Sequence, residues 1–66
     1  MKVSFDRDAD ALYIRFSDDE IAETAEVRPG LMLDYDAKGR IVGLEILNAS
    51  ESLAGPDMKR LAVELS

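Results

Sequence analysis

The stretch DYDAKGRIVGLE, residues 34–45, decides how the chain folds. Counted from Asp34, it has carboxylates at positions one, three and twelve and a glycine at six, the outline of a calcium-binding EF-hand loop. Position five, where a calcium loop supplies an oxygen ligand, is Lys38, and neither flank has the periodicity of a helix. The apolar residues instead alternate: Leu33 and Tyr35 come before DAKG (36–39), and Val42, Leu44 and Ile46 come after it. Alternation with a period of two is the mark of a strand with one buried face. The stretch therefore reads as a β-hairpin whose turn is Asp36-Ala37-Lys38-Gly39. Asp36 bonds the turn's own backbone, and Gly39 takes the left-handed conformation.

Working outward from this hairpin, the same pattern appears thirty residues earlier. Val3 and Phe5, the polar run DRDAD at 6–10, then Leu12, Ile14 and Phe16 form a second hairpin. Its inward positions map one for one onto Leu33, Tyr35, Val42, Leu44 and Ile46. Between the hairpins, Ala22 to Arg28 has the glutamates of an exposed edge strand, and Pro29-Gly30 supplies a turn. After Ile46 the period changes. Asn48 to Leu53 suggests a short turn, and Met58, Leu61, Ala62 and Leu65 fall at helical spacing behind Pro56. The expected fold is α+β: an antiparallel β-meander of four to five strands (residues 1–47) with one C-terminal helix (within 48–66) packed on one face. All of 1–66 is expected to form a single domain.

Composition narrows the function. Sixty-six residues bury only about 60% of the surface their unfolded chain exposes, so such a domain gains from a second subunit. No cysteine is present for a disulfide. Eight Lys and Arg against fourteen Asp and Glu give a net charge of −6. That charge disfavours nucleic acid and anionic membranes and favours a basic protein partner. There is no apolar run of signal-peptide or membrane-span length, and a cytoplasmic location is the expectation. With no histidine, no thiol and no glycine-rich phosphate loop, no catalytic residue, cofactor or metal site is expected, and the chain reads as a non-enzyme.

A helix covers only one face of a sheet. The other face is expected to carry Ala11, Tyr13, Met32, Ile41, Gly43 and Leu47, with Arg15, Asp34 and Glu45 among them. That is more apolar than a solvated face requires. Tyr13, Arg15, Met32, Ile41, Glu45 and Leu47 are the candidate interface, with Arg15 and Glu45 pairing across it if their strands are neighbours. The leading expectation is a protein-interaction module; the alternative is a homodimer of structural role, and a small-ligand binder or enzyme ranks last.

The strings Asp10-Ala11-Leu12-Tyr13, Asp34-Tyr35-Asp36 and Gly39-Arg40-Ile41-Val42-Gly43 with Glu45-Ile46 resemble a family of small bacterial proteins, domain of unknown function twenty-two eighty-three. The resemblance spans roughly residues 2 to 50. It implies no activity and no ligand, and it adds one suggestion: some members have been proposed as the antitoxin half of a toxin–antitoxin pair.

Overall fold

The computed structural model describes residues 1–54. Five strands, β1 (Lys2–Asp6), β2 (Ala11–Arg15), β3 (Glu23–Arg28), β4 (Leu31–Tyr35) and β5 (Ile41–Ile46), precede a single helical turn, α1 (Ala49–Ser52). The expected amphipathic helix with Met58, Leu61, Ala62 and Leu65 lies outside the described residues. The strands form one antiparallel sheet in the order β1-β2-β5-β4-β3. The last three are a meander, and the β1–β2 hairpin docks against β5 rather than against β3. Residues 22–28 do contribute a strand, and it lies at the edge, as its glutamates suggested.

Residues directly opposite in an antiparallel pair share a face. One row across all five strands reads Val3, Ile14, Leu44, Leu33, Ala25, and the next reads Phe5, Leu12, Ile46, Leu31. One pair of the mapping holds in register, Val3 with Ile14 corresponding to Leu33 with Leu44. Leu12 and Val42 are buried, whereas Phe16, expected inside, is 45% exposed just past the end of β2. Its backbone is engaged there, the N–H donating to Val42 O at 2.7 Å.

The mapping also breaks inside the second hairpin. Asp34 pairs with Gly43, but Tyr35 pairs with Ile41, so β5 carries one residue too many. The step is a β-bulge at Ile41–Val42, next to the turn that closes the hairpin. It removes Ile41 from the outward row in which strict alternation had placed it and sets it opposite Tyr35. Val42 is the largest fully buried side chain among the described residues, 1% exposed.

The turns form as their residues dictate. Gly39 has φ +81°, and its N–H donates to Asp36 O at 3.0 Å. Gly30, with φ +83°, follows Pro29 in the two-residue connection from Arg28 to Leu31. Asp10, also at positive φ, ends the β1–β2 turn and reaches across to α1. At the end of α1, Ser52 and the following Leu53 line one cleft with Leu31, Leu44 and Ile46, so the chain leaves the helical turn beside the apolar rows.

Candidate functional site

The outward face consists of two cross-strand rows that alternate with the apolar ones. One reads Ser4, Tyr13, Glu45, Met32, Glu26, and its neighbour reads Lys2, Arg15, Gly43, Asp34, Thr24. Four of the six candidate interface residues, Tyr13, Arg15, Met32 and Glu45, thus fall in adjacent rows. Ile41 sits at the start of β5, half exposed and opposite Tyr35. Leu47 lies just past its end, with its N–H donating to Gly30 O at 2.8 Å.

At the centre is a carboxylate that alternation placed on this face but that was not among the candidate interface residues. Asp34 is only 9% exposed. It accepts a hydrogen bond from Tyr13 Oη at 3.1 Å on one oxygen and from Thr24 Oγ1 at 2.6 Å on the other. Three strands are tied together this way, with Gly43 of a fourth beneath the junction. A Cβ on Gly43 would lie 2.9 Å from both Asp34 Oδ2 and Tyr13 Oη. The glycine is therefore required by space, since a side chain there would occupy the volume in which the hydroxyl meets the carboxylate. A glycine inside a strand signals such a close approach. Thr24, directly opposite Asp34 on the neighbouring β3, carried no local sign of its role.

Glu45 lies between Tyr13 and Met32 in its row, half-buried, and its carboxylate takes part in no hydrogen bond or ion pair among the described residues. β2 and β5 are neighbours, so pairing with Arg15 was open to it. Arg15 is drawn elsewhere: its Nε donates to Ser17 O at 2.7 Å and its Nη2 to Asp19 O at 2.6 Å. It acts as a clasp on the loop that leaves β2. The centre of the face is left with two carboxylates flanked by an aromatic ring and a thioether. A shallow concavity lined by Lys2, Ser4, Tyr13, Arg15 and Asp18 borders it.

The Asp34–Glu45 segment is a hairpin, and its second carboxylate is occupied. Asp36 Oδ1 accepts from the backbone N–H groups of Lys38 and Arg40, both at 2.9 Å, and Oδ2 accepts from Arg40 Nε at 2.9 Å. The Arg40 backbone N–H, followed by the Arg40 guanidinium and the Lys38 N–H, holds the Asp36 carboxyl below the usual carboxylate range against the smaller opposing effect of desolvation. Arg40 also lies 3.7 Å from Asp19, a long and exposed ion pair. Among the described residues, no group of three or more acidic, histidine or cysteine side chains is placed to hold a metal ion.

This is a small α+β domain built on one antiparallel sheet, with a hydrogen-bonded carboxylate at the middle of its outward face. The chain belongs to the family described as a protein of unknown function, DUF2283, whose profile matches residues 2–50. Searches of the curated proteins and of the solved structures each found no match. The residues that carried the resemblance now have physical roles. Asp10 caps α1, Tyr13 and Asp34 meet over Gly43, and Asp36, Gly39 and Arg40 form the hairpin turn. No helix among the described residues is long and apolar enough to cross a membrane.

Proposed function

We propose that the protein is a non-enzymatic interaction module that receives a basic protein partner on the face carrying Tyr13, Met32 and Glu45. In a toxin–antitoxin pairing it would be the antitoxin half. The observation that carries this reading is Glu45: a half-buried carboxylate set between an aromatic ring and a thioether, bonded to no described residue. A lysine or arginine from a partner would find there a counter-ion, an apolar wall for its methylene stem and the edge or face of a ring. The net charge of −6 steers such a partner toward the domain.

The test is co-expression with the product of an adjacent reading frame, if that product is basic and arrests growth alone. The wild-type chain should copurify with it and relieve the arrest. Glu45→Lys and Met32→Lys should do neither while giving native amide spectra. Equal capture by wild type and both variants would remove this face from the interaction.

A further inference from the structure

The two edges of the sheet differ in kind. β3 is protected: a register step between Glu26 and Arg28 inserts Val27, charged side chains flank it, and Pro29 follows. Bulges, charges and proline are the usual means by which an edge strand is kept from pairing with another chain. β1 has no register step in its pairing with β2, no proline and no glycine, and its five residues pair in an unbroken ladder.

The sequence of β1 is complementary to itself. Lys2, Val3, Ser4, Phe5, Asp6 laid antiparallel on a second copy and centred on Ser4 sets Lys2 opposite Asp6, Val3 opposite Phe5, and Ser4 opposite Ser4. Both charge pairs are attractive, and both apolar pairs join Val3 and Phe5 on the face of the apolar rows. Shifting by two residues in either direction, the smallest slip that keeps each side chain on its own face, loses both charge pairs and leaves two residues of each strand unpaired. Lys2 makes no ion pair among the described residues. Asp6 uses Oδ1 to accept from the N–H groups of Asp8 and Ala9, at 3.0 and 3.2 Å, which leaves Oδ2 for an incoming ammonium.

We infer that the β1 edge is a self-association surface at which a second copy of this chain pairs antiparallel, about a twofold axis through Ser4, to make one ten-stranded sheet. A twofold perpendicular to the sheet keeps like faces on the same side. The two Tyr13 residues, each one strand in from the joined edges, would be three strand spacings apart, about 14 Å. The dimer would present two copies of the candidate face side by side. This inference is independent of the interaction reading, since it uses a different surface and its readout is the mass of the pure protein.

The experiment is sedimentation equilibrium of the full chain from about 10 µM to about 1 mM, with amide spectra checking that each variant is folded. Wild type should shift from monomer to dimer within that range. Lys2→Glu sets like charges opposite at both ends of the ladder and should weaken association about tenfold. Mixing Lys2→Glu with Asp6→Lys restores opposite charges at both ends, and a heterodimer should form that neither variant forms alone. In a second measurement, independent of those charges, Ser4→Cys should cross-link to itself under mild oxidation. Residues facing each other across antiparallel strands are about 4.5–5.5 Å apart at Cα, within reach of a disulfide. Lys2→Cys should not form the same symmetric bridge. A wild-type chain that stays monomeric throughout, or a dimer that Lys2→Glu leaves unchanged and Ser4→Cys fails to cross-link, overturns the inference.

Discussion

Tyr13 and Asp34 lie twenty-one positions apart in sequence and on strands that are not neighbours, yet the Tyr13 hydroxyl donates to the Asp34 carboxylate at 3.1 Å directly over Gly43. The bond spans β5 only because residue 43 has no side chain. Gly43→Ala should therefore destabilise by about 1–3 kcal/mol, the usual range for forcing a methyl group into occupied space. Tyr13→Phe should cost about 1 kcal/mol, the worth of one hydrogen bond. Because both changes act on the same contact, the double variant should lose less than the sum of the two. Urea melts of the four proteins measure this, and strict additivity would show that Gly43 serves some purpose other than making room for the bond.

At Gly39 the requirement is conformational. Nothing lies within 4 Å of a Cβ built there, but φ is +81°. Gly39→Ala should cost about 1 kcal/mol from backbone strain alone. Gly39→Asn should cost less, because asparagine enters the left-handed region more readily. Ala37→Gly, in the same turn, should change stability little. Equal losses for Ala and Asn at position 39 in a denaturant melt would point to a steric cause that the geometry does not contain.

Asp36 gives the turn a pH dependence of definite sign. Its folded-state pKa is depressed, so the carboxylate contributes stability that is fully present above the ordinary Asp value near 4. That contribution is lost as pH falls below about 4 and through the lowered folded-state value. Asp36→Asn keeps an acceptor for the N–H groups of Lys38 and Arg40 but forfeits the charge that faces the guanidinium. Thermal melts between about pH 2 and pH 7 should show a shallower acid decline for the variant, with the two curves converging at the acid end. Parallel curves would exclude Asp36 as the source of the acid sensitivity.

These local rules account for how much could be foreseen. Alternation located β1, β2, β4 and β5, since each buries one face, while β3 was suggested only by glutamates that suit an exposed edge; Pro29-Gly30 and Asp36 to Gly39 announced their turns by residue type. Strand order was not legible: β2 sits beside β5 through pairings such as Ile14 with Leu44, and nothing local to either strand encodes that choice. The bulge at Ile41–Val42 adds a residue without altering the hydrophobic pattern, so Ile41 was assigned to the outward row and falls opposite Tyr35 instead. For the candidate site, the row containing Tyr13, Glu45 and Met32 followed from parity. The Asp34 junction did not, because its partners come from β2 and β3, and a threonine on an edge strand looks like any solvated residue.

Asp10 shows the same limit and gives the last prediction. The residue at the start of α1, Asn48, makes no side-chain capping bond. The cap comes from forty positions away: Asp10 Oδ1 and Oδ2 accept from Ser50 N at 3.1 and 3.2 Å, Oδ2 also accepts from Ser50 Oγ at 2.5 Å, and Asp10 O accepts from Ala49 N at 2.8 Å. A helical turn of four residues has few bonds of its own, so its position depends on this attachment to the β1–β2 turn. Asp10 also stands at φ +53°, which asparagine tolerates, glycine adopts without strain and alanine resists. The two contributions can be separated by substitution. Asp10→Asn should lose least, because it keeps both an acceptor and the conformation. Asp10→Gly loses the cap alone, about 1 kcal/mol, and Asp10→Ala loses the cap and adds strain, about 2 kcal/mol in all. Amide exchange at Ala49 and Ser50 should quicken in the Gly and Ala variants before exchange in β5 does, since the cap holds α1 and not the sheet. If Asp10→Gly proved as stable as wild type with unchanged protection at Ser50, the carboxylate would be dispensable, and α1 would have to be held by its contacts with the sheet.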